Sequence, residues 1–202
     1  MKIRYLALGD SYTIGESVDE PERWPNQLAD FLKAGGIPTE VSIIARTGWT
    51  TNELWDGVQA QKINPPYDLV SLLIGVNNQY RGYDIKEYRD QFVFLLNKSI
   101  EYAGGNSKRV IVLSIPDWGV TPFARGQDGK QIAKDIDAFN AVNREETEKV
   151  GAYYVDVTPI SREAVYDSAL VAGDGLHPSG KMYLEWTKLA YLAALKALEI
   201  SK

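Results

Sequence analysis

A serine at the end of the first apolar run is the starting point for any chemistry in this sequence. Gly9-Asp10-Ser11 follows Ile3–Leu8, so a buried strand would present the Ser11 hydroxyl at its C-terminal end. In open α/β sheets, ligands bind at that edge. A serine hydroxyl is a weak nucleophile until a base takes its proton, so Ser11 needs a partner elsewhere in the chain.

The chain has a single histidine, His177, in the segment Asp174-Gly175-Leu176-His177-Pro178. Many histidines beside a helix are surface or capping residues. Here Asp174 lies three residues upstream across a glycine, close enough to accept a hydrogen bond from Nδ1–H, and Pro178 is predicted to start the last helix. Nε2 would then face a substrate-side partner. If the fold brings Ser11 nearby, Ser11, His177 and Asp174 have the residue types of a nucleophile, its base and the group that orients the base.

Acyl transfer also needs hydrogen-bond donors for the developing oxyanion. Two loops supply candidates: Gly48, in Arg46-Thr47-Gly48-Trp49-Thr50, and Asn77, in Gly75-Val76-Asn77-Asn78. Taken alone, Gly48 is a typical turn residue and Asn77 a typical loop-capping residue. Their positions after the second and third predicted strands make a backbone N–H at Gly48 and the side-chain amide of Asn77 candidate oxyanion donors.

Composition narrows the class of protein. With 202 residues, we expect one domain spanning 1–202. The net charge of −5 argues against nucleic-acid partners. No cysteine is present, which excludes disulfides and thiolate ligands, and we predict neither a metal nor a cofactor. No apolar run approaches the length of a membrane span and no signal peptide precedes the first strand, so we expect no integral membrane association and a cytoplasmic location for the sequence as written. A chain trimmed of a leader would look the same, and the oligomeric state is left open.

Five apolar runs with little polar alternation predict buried parallel strands. They are Ile3–Leu8, Val41–Ala45, Asp68–Gly75, Arg109–Ile115 and Ala152–Val157. Helical patterns lie between them, two of them opened by the caps Thr50-x-x-Glu53 and Asp84-x-x-Glu87. Alternating strands and helices predict a doubly wound, flavodoxin-like three-layer α/β domain with strand order 2-1-3-4-5. The long connections 116–130 and 158–178 leave the same sheet edge as Ser11, and a short helix is expected near 162–166.

The chain has four motifs in this order: Gly9-Asp10-Ser11, Gly48, Gly75-x-Asn77 and Asp174-x-x-His177-Pro178. Together they resemble the four sequence blocks of the SGNH hydrolases, also called GDSL esterases/lipases, of the small single-domain bacterial type. The resemblance implies a serine esterase in which Ser11 is the nucleophile, His177 the base and then acid, and Asp174 its orienting partner. It also implies an oxyanion hole built from the backbone N–H groups of Ser11 and Gly48 and the side chain of Asn77. The family's third block ends in Asp where this chain has Asn78, so we expect the hydrogen bonding of that loop to differ.

Further loop residues at the same edge are candidates for substrate binding. They are Tyr12, Trp49, Asn78, Tyr80 and Trp118. Aromatic side chains also serve as ordinary packing, and we expect at least half of the aromatic ones to do so. The substrate is a small-molecule ester, with acetylated sugars, lysophospholipids, thioesters and short-chain esters all open.

Two other interpretations remain at the level of sequence. The hydroxyl-rich segment Ser11–Ser17 follows the first strand as the phosphate loop does in an FMN-binding flavodoxin. That interpretation leaves the aspartate–histidine pair, Gly48 and Asn77 unexplained, and acidic residues in the segment would repel a phosphate. The other is a non-catalytic binding relative of the esterases, although such relatives tend to lose a catalytic residue and none is missing here.

Overall fold

The computed structural model describes residues 2–199 and contains a five-stranded parallel sheet. The strands are β1 (Ile3–Gly9), β2 (Thr39–Ala45), β3 (Leu69–Leu73), β4 (Val110–Leu113) and β5 (Tyr153–Val155). Their order across the sheet is β2-β1-β3-β4-β5, and each neighbouring pair is parallel. The predicted α/β fold class and strand order are therefore confirmed.

Helices cover both faces of the sheet, which accounts for the nearly uninterrupted apolar character of the central strands. They are α1 (Ser11–Ile14), α2 (Trp24–Ala34), α3 (Thr51–Gln59), α4 (Val76–Tyr80), α5 (Ile85–Tyr102), α6 (Gly129–Lys149), α7 (Thr158–Arg162) and α8 (Gly180–Ala197). Helices α2 and α8 pack together on one face, while α3, α5 and α6 form the layer on the other. Both predicted helix starts are confirmed, since Thr50 and Glu53 form a reciprocal capping box and Asp84 caps α5.

The register of the sheet aligns the ends of three adjacent strands. Gly9, the last residue of β1, pairs with Ala45 at the end of β2 and with Leu73 at the end of β3. The segments that follow these strands therefore begin at the same edge. Ser11, Gly48 and Asn77 are two, three and four residues beyond those ends, so the sheet itself brings the three loops together.

The strand ends differ from the predicted ones where buried residues leave the ladder. Ile115 is fully buried, yet its N–H and C=O are both paired with the side chain of Asn140 rather than with a neighbouring strand. The predicted strand Arg109–Ile115 is longer than β4 because the prediction relied on apolar, buried residues and not on strand pairing. The connection after β4 contains two 3-10 turns, Trp118–Val120 and Pro122–Ala124, and the short helix expected near 162–166 is α7 followed by a 3-10 turn at Glu163–Val165.

The prediction that Pro178 starts the last helix is wrong. Pro178 instead forms an isolated antiparallel bridge with Val171, and α8 begins at Gly180 behind the cap residue Ser179, whose hydroxyl accepts from the N–H of Met182. Pro178 thus belongs to the loop that carries His177. Among residues 2–199, no helix combines the length and apolar character needed to cross a bilayer.

Candidate active site

The Asp174–His177 contact expected from the sequence is present. Nδ1 of His177 lies 2.5 Å from Oδ2 of Asp174. Since an ionised carboxylate can only accept, Nδ1 carries the proton and Nε2 is the free acceptor. Oδ1 of the same carboxylate accepts the backbone N–H groups of Leu176 and His177 across 2.9 and 3.0 Å. Partial burial works to raise the pKa of Asp174, but these hydrogen bonds outweigh it and hold the pKa well below its usual value.

The loop that carries this pair is fixed by backbone hydrogen bonds. The N–H of Ala172 donates to the carbonyl of His177 across 2.7 Å, beside the Val171–Pro178 bridge. On the other side, the N–H of Phe123 donates to the carbonyl of Gly175 across 2.9 Å. The His177 ring is buried, and it packs edge-on against Tyr12 with ring centroids 5.7 Å apart. The orientation of the ring is therefore constrained by Asp174 at Nδ1 and by the ring of Tyr12.

Ser11 is placed by a tight turn from β1 into α1. The turn folds back so closely that a Cβ on Gly9 would lie 2.2 Å from the Thr13 hydroxyl and 2.5 Å from the Leu73 carbonyl, so only glycine fits there. Asp10 caps α1 by accepting the N–H of Tyr12 across 3.0 Å. Ser11 is the first residue of this helix and is only 4% exposed.

Asp10 is the buried carboxyl group of the site. Its side chain is 0% exposed, and burial raises its pKa from the ordinary value of 3.8 to about 7. The N–H of Tyr12 donates to Oδ1, a contact that favours the ionised form and only partly offsets the burial. Asp10 thus supports the turn that holds Ser11.

Gly48 lies in the loop after β2 with φ +86°, a left-handed conformation that glycine adopts at little cost. The guanidinium of Arg81 donates to the Gly48 carbonyl across 2.7 Å and pairs with Glu53 at 3.2 Å. The carbonyl is thereby held by Arg81. This contact fixes the Gly48–Trp49 peptide, which is next to the Thr47–Gly48 peptide that carries the predicted N–H donor.

Asn77 and Asn78 lie on α4 and have different surroundings. The Asn77 side-chain amide donates to the carbonyl of Trp49 across 2.9 Å. Asn78 is 0% exposed, its Oδ1 accepting the N–H of Thr51 across 3.1 Å and its Nδ2 donating to the Thr51 hydroxyl across 2.8 Å. The neutral amide thus joins α4 to the first turn of α3.

A cavity of about 160 Å³ brings seven of the predicted site residues together. Its lining comprises Ser11, Tyr12, Thr47, Gly48, Val76, Asn77, Tyr80, Trp118, Phe123, Leu176 and His177. Trp118 donates its indole N–H to Gln79 across 2.9 Å, and the half-exposed rings of Tyr80 and Phe123 pack against it. The cavity therefore has the serine, the histidine and both candidate donors in its wall, and an aromatic rim.

Two of the expected substrate contacts are not brought to this cavity. Asn78 is buried against Thr51, as described above, and Trp49 packs its indole over Gly57, where an added Cβ would lie 2.0 Å from the ring. Four lining residues were not predicted: Thr47, Val76, Phe123 and Leu176. Leu176 could have been inferred from its place between Asp174 and His177, whereas Phe123 lies in a long loop whose path the sequence does not indicate.

The flavodoxin-like alternative is not favoured by the environment of segment 11–17. Two residues of the segment take part in carboxylate contacts: the Ser17 hydroxyl donates to Asp174 across 2.7 Å, and the Glu16 carboxylate accepts from the Thr47 hydroxyl. A bound phosphate would meet these negative charges. Within residues 2–199, no cluster of three or more acidic or histidine side chains is arranged to hold a metal ion.

Comparison with known proteins identifies the family. A model of the GDSL-like lipase/acylhydrolase family matches residues 7–184, and the chain belongs to that family. It is a carboxylic ester hydrolase. No curated protein sequence matches the chain significantly.

Solved structures of esterases share the fold over nearly the whole chain. The psychrotrophic esterase EstA from Pseudoalteromonas sp. is 18% identical, with a TM-score of 0.75 over 97% of this chain and 98% of that one. A lipase/acylhydrolase from Enterococcus faecalis is 19% identical, with a TM-score of 0.73 over 96% and 95% of the two chains. Axe2, an acetylxylan esterase from Geobacillus stearothermophilus, is 19% identical, with a TM-score of 0.69 over 98% and 95%.

Proposed function

We propose that the protein hydrolyses short-acyl carboxylic esters through an acyl-enzyme on Ser11. The observation that carries this proposal is the shared cavity: Ser11, Gly48, Asn77 and His177 all line it, and the imidazole has its Nδ1 on Asp174 at 2.5 Å. A nucleophile, an oriented base and two donors around one space are the components that acyl transfer requires.

In the proposed reaction, the oxygen of Ser11 attacks the ester carbonyl carbon while its proton passes to Nε2 of His177. The tetrahedral intermediate carries its negative charge on the former carbonyl oxygen, which accepts hydrogen bonds from the backbone N–H groups of Ser11 and Gly48 and from the Asn77 amide. When the C–O bond to the alcohol breaks, His177 returns the proton to the departing oxygen. Asp174 stabilises the imidazolium that forms in between.

Deacylation repeats these steps with water in place of Ser11. Nε2 takes a proton from water as its oxygen attacks the acyl carbon, and the same donors hold the second oxyanion. The bond to the serine oxygen then breaks, Ser11 recovers its proton from His177, and the carboxylic acid leaves. The sequence consumes one water and returns every side chain to its initial protonation state.

The cavity favours a small acyl group. Its volume is about 160 Å³, and a cavity of about 150 Å³ in another protein holds a single benzene ring. A long fatty acyl chain would therefore have to leave the cavity past the aromatic rim of Tyr80 and Phe123. The acetyl ester named for the acetylxylan esterase from Geobacillus stearothermophilus agrees with this size, whereas lysophospholipid is the less well-fitting member of the proposed substrate range.

The test uses p-nitrophenyl esters from acetyl to palmitoyl. We expect the highest kcat/KM at acetyl to butyryl and a loss of at least about a hundredfold in kcat for Ser11→Ala and His177→Ala. A matched control, Ser168→Ala at an exposed serine of the 3-10 turn Ser168–Leu170, should retain wild-type activity. Wild-type turnover by Ser11→Ala would refute the acyl-enzyme, and a preference for palmitoyl would refute the short-acyl assignment.

A further inference from the structure

A second serine contacts the catalytic aspartate proposed above. The Ser17 hydroxyl donates to Oδ2 of Asp174 across 2.7 Å, and Oδ2 is also the oxygen that faces Nδ1 of His177. Together with the two backbone N–H groups on Oδ1, the carboxylate accepts four hydrogen bonds. The Ser17 hydroxyl is the one donor of the four that comes from outside the Asp174–His177 loop.

The backbone conformation of Ser17 separates the contribution of its side chain from that of its backbone. Its φ is +65°, in the left-handed region that is less favourable for a residue with a side chain than for glycine. Such conformations at functional sites persist when surrounding contacts hold them. Glycine would fit this backbone better. What the serine side chain adds is the hydroxyl group that donates to Asp174.

Ser17 is also tied to the turn that carries the nucleophile. The backbone N–H groups of Gly15 and Glu16 both donate to the carbonyl of Ser11, each across 3.0 Å. The side chain of Glu16 accepts from the Thr47 hydroxyl, in the loop of Gly48. Segment 15–17 thus connects the nucleophile turn to both the candidate oxyanion loop and the triad loop.

We propose that Ser17 is a positioning residue of the triad: its hydroxyl fixes the Asp174 carboxylate, and through it the His177 ring, relative to Ser11. This proposal rests on the proposed function. The hydroxyl acts on the plane of the carboxylate and takes up part of its charge, and it does not touch the substrate. Removing it leaves Oδ2 bonded to Nδ1 alone, so the ring can reorient and Nε2 is held less firmly towards Ser11.

The expected effect is on kcat. Because Ser17 is exposed and water competes for the contact, we expect a loss of about three- to tenfold in kcat for Ser17→Ala and Ser17→Gly, with KM unchanged within about twofold. The two variants differ in stability: alanine keeps the left-handed strain, whereas glycine removes it, so the Tm of Ser17→Gly should equal or exceed that of the wild type. A purely structural role of Ser17 predicts the opposite, a glycine variant with full activity.

Glu199→Gly is the matched control. Glu199 has φ +56° at an exposed position after α8, and Ser17 is the other non-glycine residue with positive φ among residues 2–199. Relief of the same kind of backbone strain should therefore leave kcat and KM at wild-type values. A loss of activity in Glu199→Gly matching that of Ser17→Gly would overturn the assignment, because it would trace the effect to backbone relief alone.

The second readout does not use activity. His177 is the chain's single histidine, so the ring nitrogens of histidine-labelled protein give unambiguous NMR signals. We expect the Nδ1–H signal to shift in Ser17→Gly, with faster exchange against water. An unchanged signal together with full kcat would refute the positioning role even if Ser11→Ala is inactive. If Ser11→Ala stays active while the Nδ1–H signal of Ser17→Gly shifts, the proposed function fails and the contact to Asp174 stands.

Discussion

The side-chain amide of Asn77 donates to the backbone carbonyl of Trp49 across 2.9 Å, which joins the loop after β3 to the loop after β2. A primary amide has two N–H donors, and this contact uses one of them. Since Asn77 also lines the cavity, the contact orients the amide and leaves the second N–H available for an oxyanion. The two candidate donors, at Asn77 and Gly48, are therefore fixed relative to each other.

Replacing Asn77 by alanine should lower kcat by about a hundred- to a thousandfold, the usual effect of deleting one oxyanion donor. KM should change little, because the donor acts mainly on charge that develops in the transition state. Steady-state kinetics with p-nitrophenyl acetate separate the two constants. The isosteric Asn77→Asp variant, which has no N–H to donate, should be at least as impaired. A kcat within twofold of wild type in either variant would exclude Asn77 from the oxyanion hole.

Asp174→Asn should inactivate the protein without unfolding it. Oδ1 would remain the acceptor for the N–H groups of Leu176 and His177, which places the new NH₂ group against Nδ1. The imidazole must then carry its proton on Nε2, where it cannot accept one from Ser11. We expect kcat to fall by about a thousand- to ten-thousandfold. Circular dichroism melting should show a Tm within a few degrees of wild type, and retention of more than a tenth of the wild-type kcat would contradict the assigned role.

The sheet could be predicted from sequence because its signals are local and few topologies satisfy them. Five buried apolar runs separated by helical patterns permit right-handed crossovers in a small set of orders. The convergence of Ser11, Gly48 and Asn77 follows from the same reasoning, since each lies a few residues beyond the end of a strand. Gly9, Ala45 and Leu73, the last residues of the three strands, are aligned in the sheet, so the segments that follow them begin at the same place.

Side-chain directions within the loops could not be predicted in the same way. Asn77 and Asn78 are adjacent on one short helix, and a rotation of one residue decides which of them faces the cavity and which is buried on Thr51. Trp49 likewise faces Gly57, in α3, which begins two residues after it. The Ser17–Asp174 contact joins residues 157 positions apart and depends on a left-handed backbone that the serine itself does not signal.

Asp10→Asn should remove a pH dependence of stability. Burial raises the pKa of Asp10 to about 7 in the folded protein, from the ordinary value of 3.8. Between these values the folded state keeps a proton that the unfolded state releases, so this group's contribution to stability is lost as pH rises through that window. Asparagine stays neutral and can still accept the N–H of Tyr12. The Tm of the variant should therefore rise relative to wild type from pH 4 to pH 7 and then level off.

The size of this effect is measurable by thermal melting in a buffer series. A difference of 1 kcal/mol corresponds to about 2–4 °C for a protein of this length, and we expect at least that gap at pH 8. Aspartate at exposed position 19 gives the control: Asp19→Asn should melt in parallel with wild type at every pH. Parallel melting of Asp10→Asn and wild type across the series would show that Asp10 is ionised throughout.

Asn78 supplies the last prediction, because it departs from the aspartate expected from the motif that this loop resembles. Aspartate would still accept the N–H of Thr51, but its second oxygen would face the Thr51 hydroxyl, which now accepts from Asn78 and donates to Gln91. The hydroxyl can turn to donate to the carboxylate, which leaves Gln91 to find another donor. Alanine offers neither contact and leaves the Thr51 N–H buried, at a cost of about 1–3 kcal/mol. Thermal melting should therefore rank the Tm values as wild type, then Asn78→Asp, then Asn78→Ala, with the aspartate variant retaining most of the wild-type kcat. An alanine variant as stable as wild type would show that Asn78 does not connect α4 to α3.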